Sequence, residues 1–279
     1  MTLKLGNHEL SFDRPLVMGV LNVTPDSFSD GGRFADVELA VAQAGRMIDE
    51  GADIIDIGGE STRPGAGKVS ADEELERVMP VIDIIVANHD VPVSVDTSKP
   101  AVMGAAVSAG AAMINDVFAL REPGALEVAA DLDAAICLMH MQGTPADMQA
   151  DPQYEELPGD VVRFLAERVS ACEQAAISRD RLVVDPGFGF GKNDHHNLAI
   201  LKNLGEFGSL GLPLLVGLSR KRTLGNLTGR DADERIAAGV AAAVMAFERG
   251  AHIIRTHDVA PTVDALKVAA AVRQAGQDS

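Results

Sequence analysis

Short apolar runs alternate with longer amphipathic stretches along almost the whole chain. Each run has the length and the aliphatic, often β-branched content of a buried strand, and each longer stretch repeats its apolar residues at helical spacing. The predicted strands are Leu16–Asn22, Asp53–Gly58, Pro92–Asp96, Ala112–Asp116, Ala135–His140, Leu182–Asp185, Pro213–Leu218 and Ala251–Thr256. The predicted helices are Val37–Glu50, Asp72–Asn88, Pro100–Ala109, Gly124–Asp131, Pro158–Ile177, His195–Leu204, Arg235–Arg249 and Ala260–Ala275.

This alternation predicts an α/β fold in which helices cover a parallel sheet. Eight strand–helix units favour a closed (β/α)8 TIM barrel, and the chain of 279 residues is close to the ~250 residues typical of one such domain. We therefore expect a single barrel domain over residues 1–279. An open, doubly wound sheet is the alternative, because periodicity does not reveal whether a sheet closes. Residues 1–14 predict a short N-terminal hairpin across the barrel floor, with Gly6–Asn7 as its turn.

The charge balance argues against two classes of partner. The chain has 24 basic and 41 acidic residues and a net charge of −17, whereas nucleic acids and anionic membranes attract positively charged surfaces. Cys137 and Cys172 form no CxxC pair, so we expect buried thiols rather than a disulfide or a zinc site. The N-terminus lacks a secretory pattern and no apolar run reaches the ~18 residues of a membrane span. We expect a cytoplasmic protein.

Polar residues gather at the carboxyl ends of the predicted strands. In a parallel barrel these ends meet on one face, where the chemistry occurs. Strand ends also favour Asp and Asn as turn formers and helix caps, which is the alternative for each residue taken singly. Because all eight units share the feature, it indicates a site. The residues are Asn22, Asp56, Asp96, Asn115, His140, Asp185, Ser219–Lys221 and Arg255–His257.

The residue types suit a flat, nitrogen-rich ring. A carboxylate accepts two parallel N–H bonds, as the edge of a pterin or guanine offers, and an amide both donates and accepts. The guanidinium of Arg255 can stack on such a ring or bind a phosphate in a fork. Phe188 and Phe190 flank Gly189 and are candidate walls of an aromatic pocket, with packing on the barrel rim as the alternative.

Three loops carry further candidates. Asn22–Gly32 and Gly58–Gly65 are long and rich in Gly, Ser, Thr and Pro, which is typical of binding loops or lids, although inert surface loops have the same composition. Phe28 is a candidate apolar cover and Arg63 a candidate anion contact. Gly217–Arg222 brings three cations to the end of the seventh strand, ahead of a short helix. This arrangement predicts a site for a phosphate or a carboxylate.

The loop sequences resemble a known family. Asn22–Gly32 and Gly51–Pro64 are similar to the two signature segments of dihydropteroate synthases. The resemblance spans nearly the whole chain and continues through Val95–Thr97, Ile114–Asp116, Asp185–Gly191, Ser219–Lys221 and Arg255–His257.

The resemblance implies a transferase of folate biosynthesis that joins 6-hydroxymethyl-7,8-dihydropterin diphosphate to 4-aminobenzoate and yields 7,8-dihydropteroate and pyrophosphate. It implies a pterin site of Asp96, Asn115, Asp185, Lys221 and Arg255, of which Asp96, Lys221 and Arg255 are the catalytic residues. The implied pyrophosphate site consists of Asn22, Thr62, Arg63, Arg255 and His257, with Asn22 also a ligand of the cofactor Mg²⁺. The implied 4-aminobenzoate site, for which sulfonamide inhibitors compete, consists of Phe28, Arg63, Pro64, Phe190, Ser219 and Lys221. A homodimer is also implied.

The expected mechanism is a dissociative substitution. Pyrophosphate leaves once Mg²⁺ and cations offset its charge. The electron-deficient methylene that remains is conjugated to the pterin ring, and Asp96 is placed to stabilise it. The arylamine then attacks without a side-chain nucleophile, which agrees with the lack of a Ser–His–Asp or Cys–His pattern.

Three rival functions are weighed against this one. A pterin-binding methyltransferase shares the barrel and the pterin site but does not need the two long loops. A non-catalytic pterin-binding barrel is expected to lack Asn22, Arg255 or His257, which are present. A sugar-phosphate isomerase has a candidate base in Asp56 but leaves the ring-recognition residues unexplained. His140 is expected to be a hydrogen-bonded structural histidine.

Overall fold

The computed structural model describes residues 1–24, 33–61, 67–145 and 147–275. Within these ranges the strands are β1 Thr2–Leu5, β2 His8–Ser11, β3 Leu16–Asn22, β4 Ile54–Gly58, β5 Val93–Asp96, β6 Met113–Asp116, β7 Ala135–Met139, β8 Leu182–Asp185, β9 Leu215–Val216 and β10 Ile253–Thr256. The helices are α1 Arg33–Asp49, α2 Ala71–Asn88, α3 Pro100–Ser108, α4 Ala125–Asp131, α5 Gly159–Gln174, α6 Asp194–Lys202, α7 Arg222–Thr228, α8 Ile236–Glu248 and α9 Val259–Gln274.

The sheet is the parallel barrel that the alternation predicts. Its strands follow the order β8-β7-β6-β5-β4-β3-β10-β9. The two ends of this order meet at a parallel bridge between Val184 and Leu214, where the Val184 amide donates to the Pro213 carbonyl at 3.0 Å. This contact brings the edges together, so the closed arrangement is confirmed over the open sheet.

Most predicted elements agree with the structure to within a few residues at their ends. β9 differs most in proportion to its length, since it covers two residues of the predicted Pro213–Leu218. Pro213 has no N–H to donate to a ladder. Beyond Val216 the chain turns towards Arg220, which has a positive φ of 57°. The short helix expected after this strand is α7.

The N-terminal hairpin closes one end of the barrel. β1 and β2 pair antiparallel, with Leu5 opposite His8 across the turn. Leu3 and Leu5 are fully buried and share one apolar cluster with barrel residues such as Met18 and Ile54. The predicted floor is therefore confirmed, and it leaves the opposite end, at the strands' carboxyl termini, to the site.

A second and larger apolar cluster lies between the barrel wall and the helices. Cys172 belongs to this cluster, whereas Cys137 belongs to the cluster inside the barrel. Both are buried free thiols, as expected, and burial raises the pKa of each. Within the described ranges, none of the helices has the length and hydrophobicity that a bilayer crossing requires.

Candidate active site

A layer of polar side chains lies inside the barrel. Alternate strands of a TIM barrel contribute the side chains of one interior layer, and residues two apart on a strand share a face. On β4, β6, β8 and β10 a buried apolar residue is followed two positions later by a polar one. The apolar residues are Ile54, Met113, Val183 and Ile253, and the polar residues are Asp56, Asn115, Asp185 and Arg255. We call these the apolar layer and the polar layer.

Arg255 is the cation that holds the polar layer together. Its Nε donates to Asp56 Oδ2 at 2.6 Å, and its Nη2 donates to Asp96 Oδ2 at 2.8 Å. Asn115 Nδ2 also donates to Asp56 Oδ2, at 3.1 Å. Because a carboxylate only accepts hydrogen bonds, the amide nitrogen of Asn115 must face Asp56. Its amide oxygen is thereby oriented as an acceptor for another donor.

The two carboxylates that the sequence analysis assigns to a ring edge are strongly desolvated. Burial raises the pKa of Asp96 to about 7, although the Arg255 guanidinium opposes the shift. Burial also raises the pKa of Asp185 to about 6, against the hydrogen bond from the Gly187 amide, which donates to Asp185 Oδ1 at 2.7 Å. An incoming ligand therefore has little water to displace before it donates to these oxygens.

Lys221 borders the layer from the N-terminus of α7. Its Nζ lies 4.2 Å from the centroid of the Phe190 ring, a cation–π distance. Gly189 has a positive φ of 82°, and a Cβ on it would lie 3.2 Å from Lys221 Cδ, so glycine lets the lysine stem pass. Burial lowers the pKa of Lys221 to about 8, helped by Arg255 and opposed by Asp185.

Ser219 and His257 meet beside Lys221. His257 Nδ1 lies 3.1 Å from Ser219 Oγ, and the His257 amide donates to the same oxygen at 3.2 Å. Burial, with Arg255 next, lowers the pKa of His257 to about 3. At neutral pH its ring is therefore uncharged, and it offers a hydrogen bond rather than a positive charge to an anion.

Comparison with known proteins decides the family. The profile of the family described as pterin binding enzyme matches residues 18–257. The dihydropteroate synthase of Escherichia coli K12 is 51% identical over 269 residues, covering 96% of this chain and 95% of that protein. The chain belongs to the dihydropteroate synthase family.

Solved structures of dihydropteroate synthases agree with this assignment. The Yersinia pestis synthase in a sulfonamide complex has a TM-score of 0.94 and 50% identity, and the match covers 99% of this chain and 100% of that one. The Xanthomonas albilineans synthase in complex with 7,8-dihydropteroate has a TM-score of 0.88 and 48% identity, with 98% of each chain covered.

The fold brings most of the residues that the resemblance assigned into one place. Asp96, Asn115, Asp185, Lys221 and Arg255 are linked by hydrogen bonds or by charge, and Phe190 packs on Lys221. Ser219 and His257 adjoin them. The residues expected to bind the pterin therefore lie beside several of those expected to bind 4-aminobenzoate.

Some of the expected synthase residues lie outside the described ranges. They are Phe28, Thr62, Arg63 and Pro64. Glu60, just before the second gap, is described: it accepts from the Val69 amide at 3.2 Å and pairs with Lys99. Lys99 pairs also with the buried Glu74. The sequence does not reveal this Glu60–Lys99–Glu74 cluster, because no motif links residues that lie so far apart along the chain.

Two of the candidate residues have other contacts in the structure. Phe188 is buried in the cluster between barrel and helices, so of these two rings Phe190 is the one that contacts Lys221. Of the three cations expected after the seventh barrel strand, Arg220 is paired with Asp258, from Nη2 to Oδ1 at 2.6 Å. Phe188 thus packs against the barrel, which was the alternative to a pocket wall. The partner of Arg220, Asp258, lies two residues after the end of β10.

Asn22 is the half-buried last residue of β3, opposite Gly58. Its position continues the inward-facing series Met18 and Val20. A carboxamide oxygen is a hard ligand that suits Mg²⁺. The described residues contain no cluster of three His, Cys, Asp or Glu that could hold a metal. Mg²⁺ is commonly bound by one or two protein oxygens together with phosphates and water, and the Asn22 side chain is compatible with such a site.

Two buried residues have contacts that the sequence does not predict. Asp56 was expected among the polar strand ends and as a candidate base of a rival enzyme, but not as the partner of both Arg255 and Asn115. Lys192 was not singled out, yet it is buried against His140. His140 is the hydrogen-bonded structural histidine that was expected. A lysine that follows a glycine-rich loop is normally expected to be exposed to solvent, and the neighbouring residues give no indication that Lys192 is buried.

Proposed function

We propose that the pocket at the carboxyl ends of the barrel strands catalyses dihydropteroate synthesis. The dihydropterin-methyl group passes from 6-hydroxymethyl-7,8-dihydropterin diphosphate to 4-aminobenzoate, and 7,8-dihydropteroate and pyrophosphate are the products. The observation that carries this proposal is the desolvated polar layer, in which Arg255 fixes carboxylates and an amide inside an otherwise apolar barrel. The likeness to the synthase bound to 7,8-dihydropteroate supports it.

The pterin ring binds by its hydrogen-bonding edge. Asp185 accepts from two adjacent N–H groups of the amino-imino edge, as a carboxylate accepts parallel donors. Asn115, whose nitrogen is directed at Asp56, presents its oxygen to a further ring N–H. Because these groups are buried, a ring that lacks the matching donors leaves them unsatisfied, and this penalty produces the selectivity.

Two cations, Arg255 and Lys221, adjoin the bound pterin ring. Arg255 is restrained by its two carboxylate partners, so its guanidinium plane is ready to lie against a flat ligand. Lys221 lies between Asp185 and the Phe190 ring, at the border of the pterin and 4-aminobenzoate sites. In this proposal Ser219 binds the 4-aminobenzoate carboxylate, and the family resemblance adds Phe28, Arg63 and Pro64 to that site.

The leaving group is met by hydrogen-bond donors and by a metal. Asn22 would hold Mg²⁺, which when bound offsets the negative charge of pyrophosphate. His257 is neutral, and its Nδ1 lies 3.1 Å from Ser219 Oγ. With the Ser219 hydroxyl as the donor in this contact, Nε2 carries the N–H that the ring donates to pyrophosphate. Arg255, with Thr62 and Arg63 from the second loop, supplies the remaining contacts to the pyrophosphate.

The substitution is dissociative. The methylene–oxygen bond breaks and both of its electrons leave with pyrophosphate, so positive charge spreads over the methylene and the pterin ring. Asp96 stabilises this charge when it is ionised. The amine lone pair of 4-aminobenzoate then forms the new carbon–nitrogen bond, and the amine proton is released to pyrophosphate or solvent. No covalent intermediate with the protein is needed.

The protein acts in the cytoplasm as a homodimer. Apolar side chains exposed on α8 and α9 support the dimer: Met245, Val268 and Val272 are 48%, 66% and 71% exposed. Sedimentation equilibrium of the full chain tests this, and a monomer at all concentrations contradicts it.

The deciding experiment measures pyrophosphate release from the dihydropterin diphosphate with Mg²⁺, in the presence and absence of 4-aminobenzoate. We expect release coupled to dihydropteroate formation, lost in Asp185→Ala and Arg255→Ala. Arg249→Ala, an exposed arginine at the end of α8, is the matched control and retains activity. Tight pterin binding without release would instead indicate the binding module or the methyltransferase.

A further inference from the structure

The loop that follows β8 approaches the end of β7 backbone to backbone. Gly187 has a positive φ of 68°, and a Cβ on it would lie 1.9 Å from the His140 carbonyl oxygen. A Cβ on Gly191 would lie 2.5 Å from the Gln142 carbonyl oxygen. Only glycine permits this approach, and the approach gathers several carbonyl oxygens in one buried place.

The amine of Lys192 occupies the centre of this group of oxygens. Burial lowers the pKa of Lys192 to about 7, with Asp185 opposing the shift, and the acceptors around Nζ favour the protonated form. Lys192 is 1% exposed. Its Nζ lies 3.0 Å from the carbonyl oxygens of Gly187 and Phe190, and 3.4 Å from that of His140. Carbonyl dipoles that point at one another repel without a donor between them, and an unpaired buried carbonyl is costly.

The third donor of the ammonium is directed at an imidazole. Lys192 Nζ lies 2.8 Å from His140 Nδ1. Burial, with Lys192 as the next cause, lowers the pKa of His140 to about 2, so the ring is neutral and Nδ1 accepts. The three closest acceptors, His140 Nδ1 and two carbonyls, match the three N–H groups of an ammonium.

The histidine is itself held in place. Its ring packs edge-on against Phe164 at a centroid distance of 4.8 Å and lies 5.9 Å from the ring of Tyr154. The Tyr154 hydroxyl donates to the Gly191 carbonyl at 2.6 Å. Lys192 therefore joins the loop to a histidine that is packed between aromatic rings.

The loop so held carries two walls of the substrate pocket. At its start, the Gly187 amide donates to Asp185 Oδ1 at 2.7 Å. Further along, the Phe190 ring faces Lys221. The Lys192 ammonium binds the carbonyl groups of the same two loop residues, Gly187 and Phe190, so its bonds fix the backbone behind both walls.

We propose that Lys192 is a positioning residue of the synthase reaction: it holds the loop 185–191 so that Asp185 and Phe190 stay in register with the two substrates. This proposal rests on the proposed function. A hydrophobic residue of similar volume fills the same space without the cost of burying an ammonium, so packing alone does not account for a lysine here.

The first test replaces Lys192 with methionine, which keeps the volume and removes the donors. We expect KM for 4-aminobenzoate and Kd for a pterin to rise at least about tenfold in Lys192→Met, with a smaller change in kcat, because misplacement of binding groups by about 1 Å has effects of this order. Lys202→Met, at an exposed lysine of α6, is the control and leaves both values unchanged. A purely structural role lowers Tm without moving KM or Kd, and that result overturns the proposal.

The second test uses the histidine, and it decides the matter even if Lys192→Met does not fold. In His140→Asn the amide oxygen replaces Nδ1 as acceptor, whereas His140→Leu removes the acceptor. We expect KM for 4-aminobenzoate near the original value in His140→Asn and raised several-fold in His140→Leu. Where Lys192→Met folds, the double variant Lys192→Met/His140→Leu is expected to be no worse than Lys192→Met alone, since both act through one contact. Equal KM values for the two histidine variants contradict the proposal.

Pterin binding measured by calorimetry separates this proposal from the proposed function. If the original chain binds pterin but forms no dihydropteroate, the proposed function fails, and Kd in Lys192→Met still tests the loop. If the original chain is active and the variants keep normal KM and Kd, only the role of Lys192 fails.

Discussion

The barrel interior contains two layers, contributed by the same four strands two residues apart, that have opposite character. The apolar layer of Ile54, Met113, Val183 and Ile253 lies against Leu3 and Leu5 of the floor. The polar layer consists of Asp56, Asn115, Asp185 and Arg255. Both have the same ladder hydrogen bonds and the same side-chain period, so the backbone does not distinguish them.

The difference lies in what each layer does for stability. The apolar layer removes hydrocarbon from water and stabilises the fold. The polar layer and the adjoining Asp96 keep carboxylates away from water, and the raised pKa values of Asp96 and Asp185 mean that burial disfavours their ionised forms. The binding chemistry of the polar layer therefore depends on the stability that the apolar layer provides.

The largest effect is expected from Arg255→Met, which breaks the polar layer. Two buried carboxylates lose their shared cation, so we expect activity to fall by about 10²–10³-fold or more and the free energy of unfolding to fall by about 3–5 kcal/mol. Kinetics and urea unfolding measure the two quantities. Arg255→Lys retains the charge but not the fork that reaches both Asp56 and Asp96, so partial stability without full activity is expected. Undiminished turnover in Arg255→Met would remove Arg255 from the site.

A smaller and purely thermodynamic effect is expected from Ile54→Ala, which opens a cavity in the apolar layer. Loss of a buried isoleucine costs about 2–5 kcal/mol, while KM for both substrates stays unchanged because the polar layer keeps its own bonds. Urea unfolding and steady-state kinetics on the same preparation test this. A raised KM would mean that the two layers are not independent.

The smallest effect concerns pH. Asp96 holds its proton up to about pH 7 in the folded chain, against an ordinary pKa of 3.8. Between these values the folded state binds more protons than the unfolded one, so the free energy of unfolding falls as pH rises from about 4 to about 7. Asp96→Asn is expected to make this slope shallower, whereas Ile54→Ala keeps it, as urea unfolding across this pH range will show. An unchanged slope in Asp96→Asn would argue against a desolvated carboxylate.

Much of the fold was predictable because its signals are local. The bounds of β3 and β8 agree with prediction residue for residue, since apolar runs and glycine stops lie within a few residues of each other. Barrel closure was favoured by counting units and confirmed only by the Val184–Leu214 bridge. β9 was overextended because Pro213 removes one ladder donor.

The candidate site was predictable as a list of residues but not as an arrangement. Asp96, Asn115, Asp185, Lys221 and Arg255 were identified from strand ends and motif resemblance. Their bonds were not, nor was the neutral state of His257 or the pairing of Arg220 with Asp258. Each of these follows from burial and from neighbours on other strands.

The sequence by itself determined the alternation of strands and helices, the polar strand ends and the family. Tertiary structure alone decided which polar groups pair. Asp56 and Arg255 are 199 residues apart and Lys192 and His140 are 52 apart, so no local pattern relates them. The free energy of a buried charge depends on the atoms that replace its water, and those atoms come together only when the barrel closes.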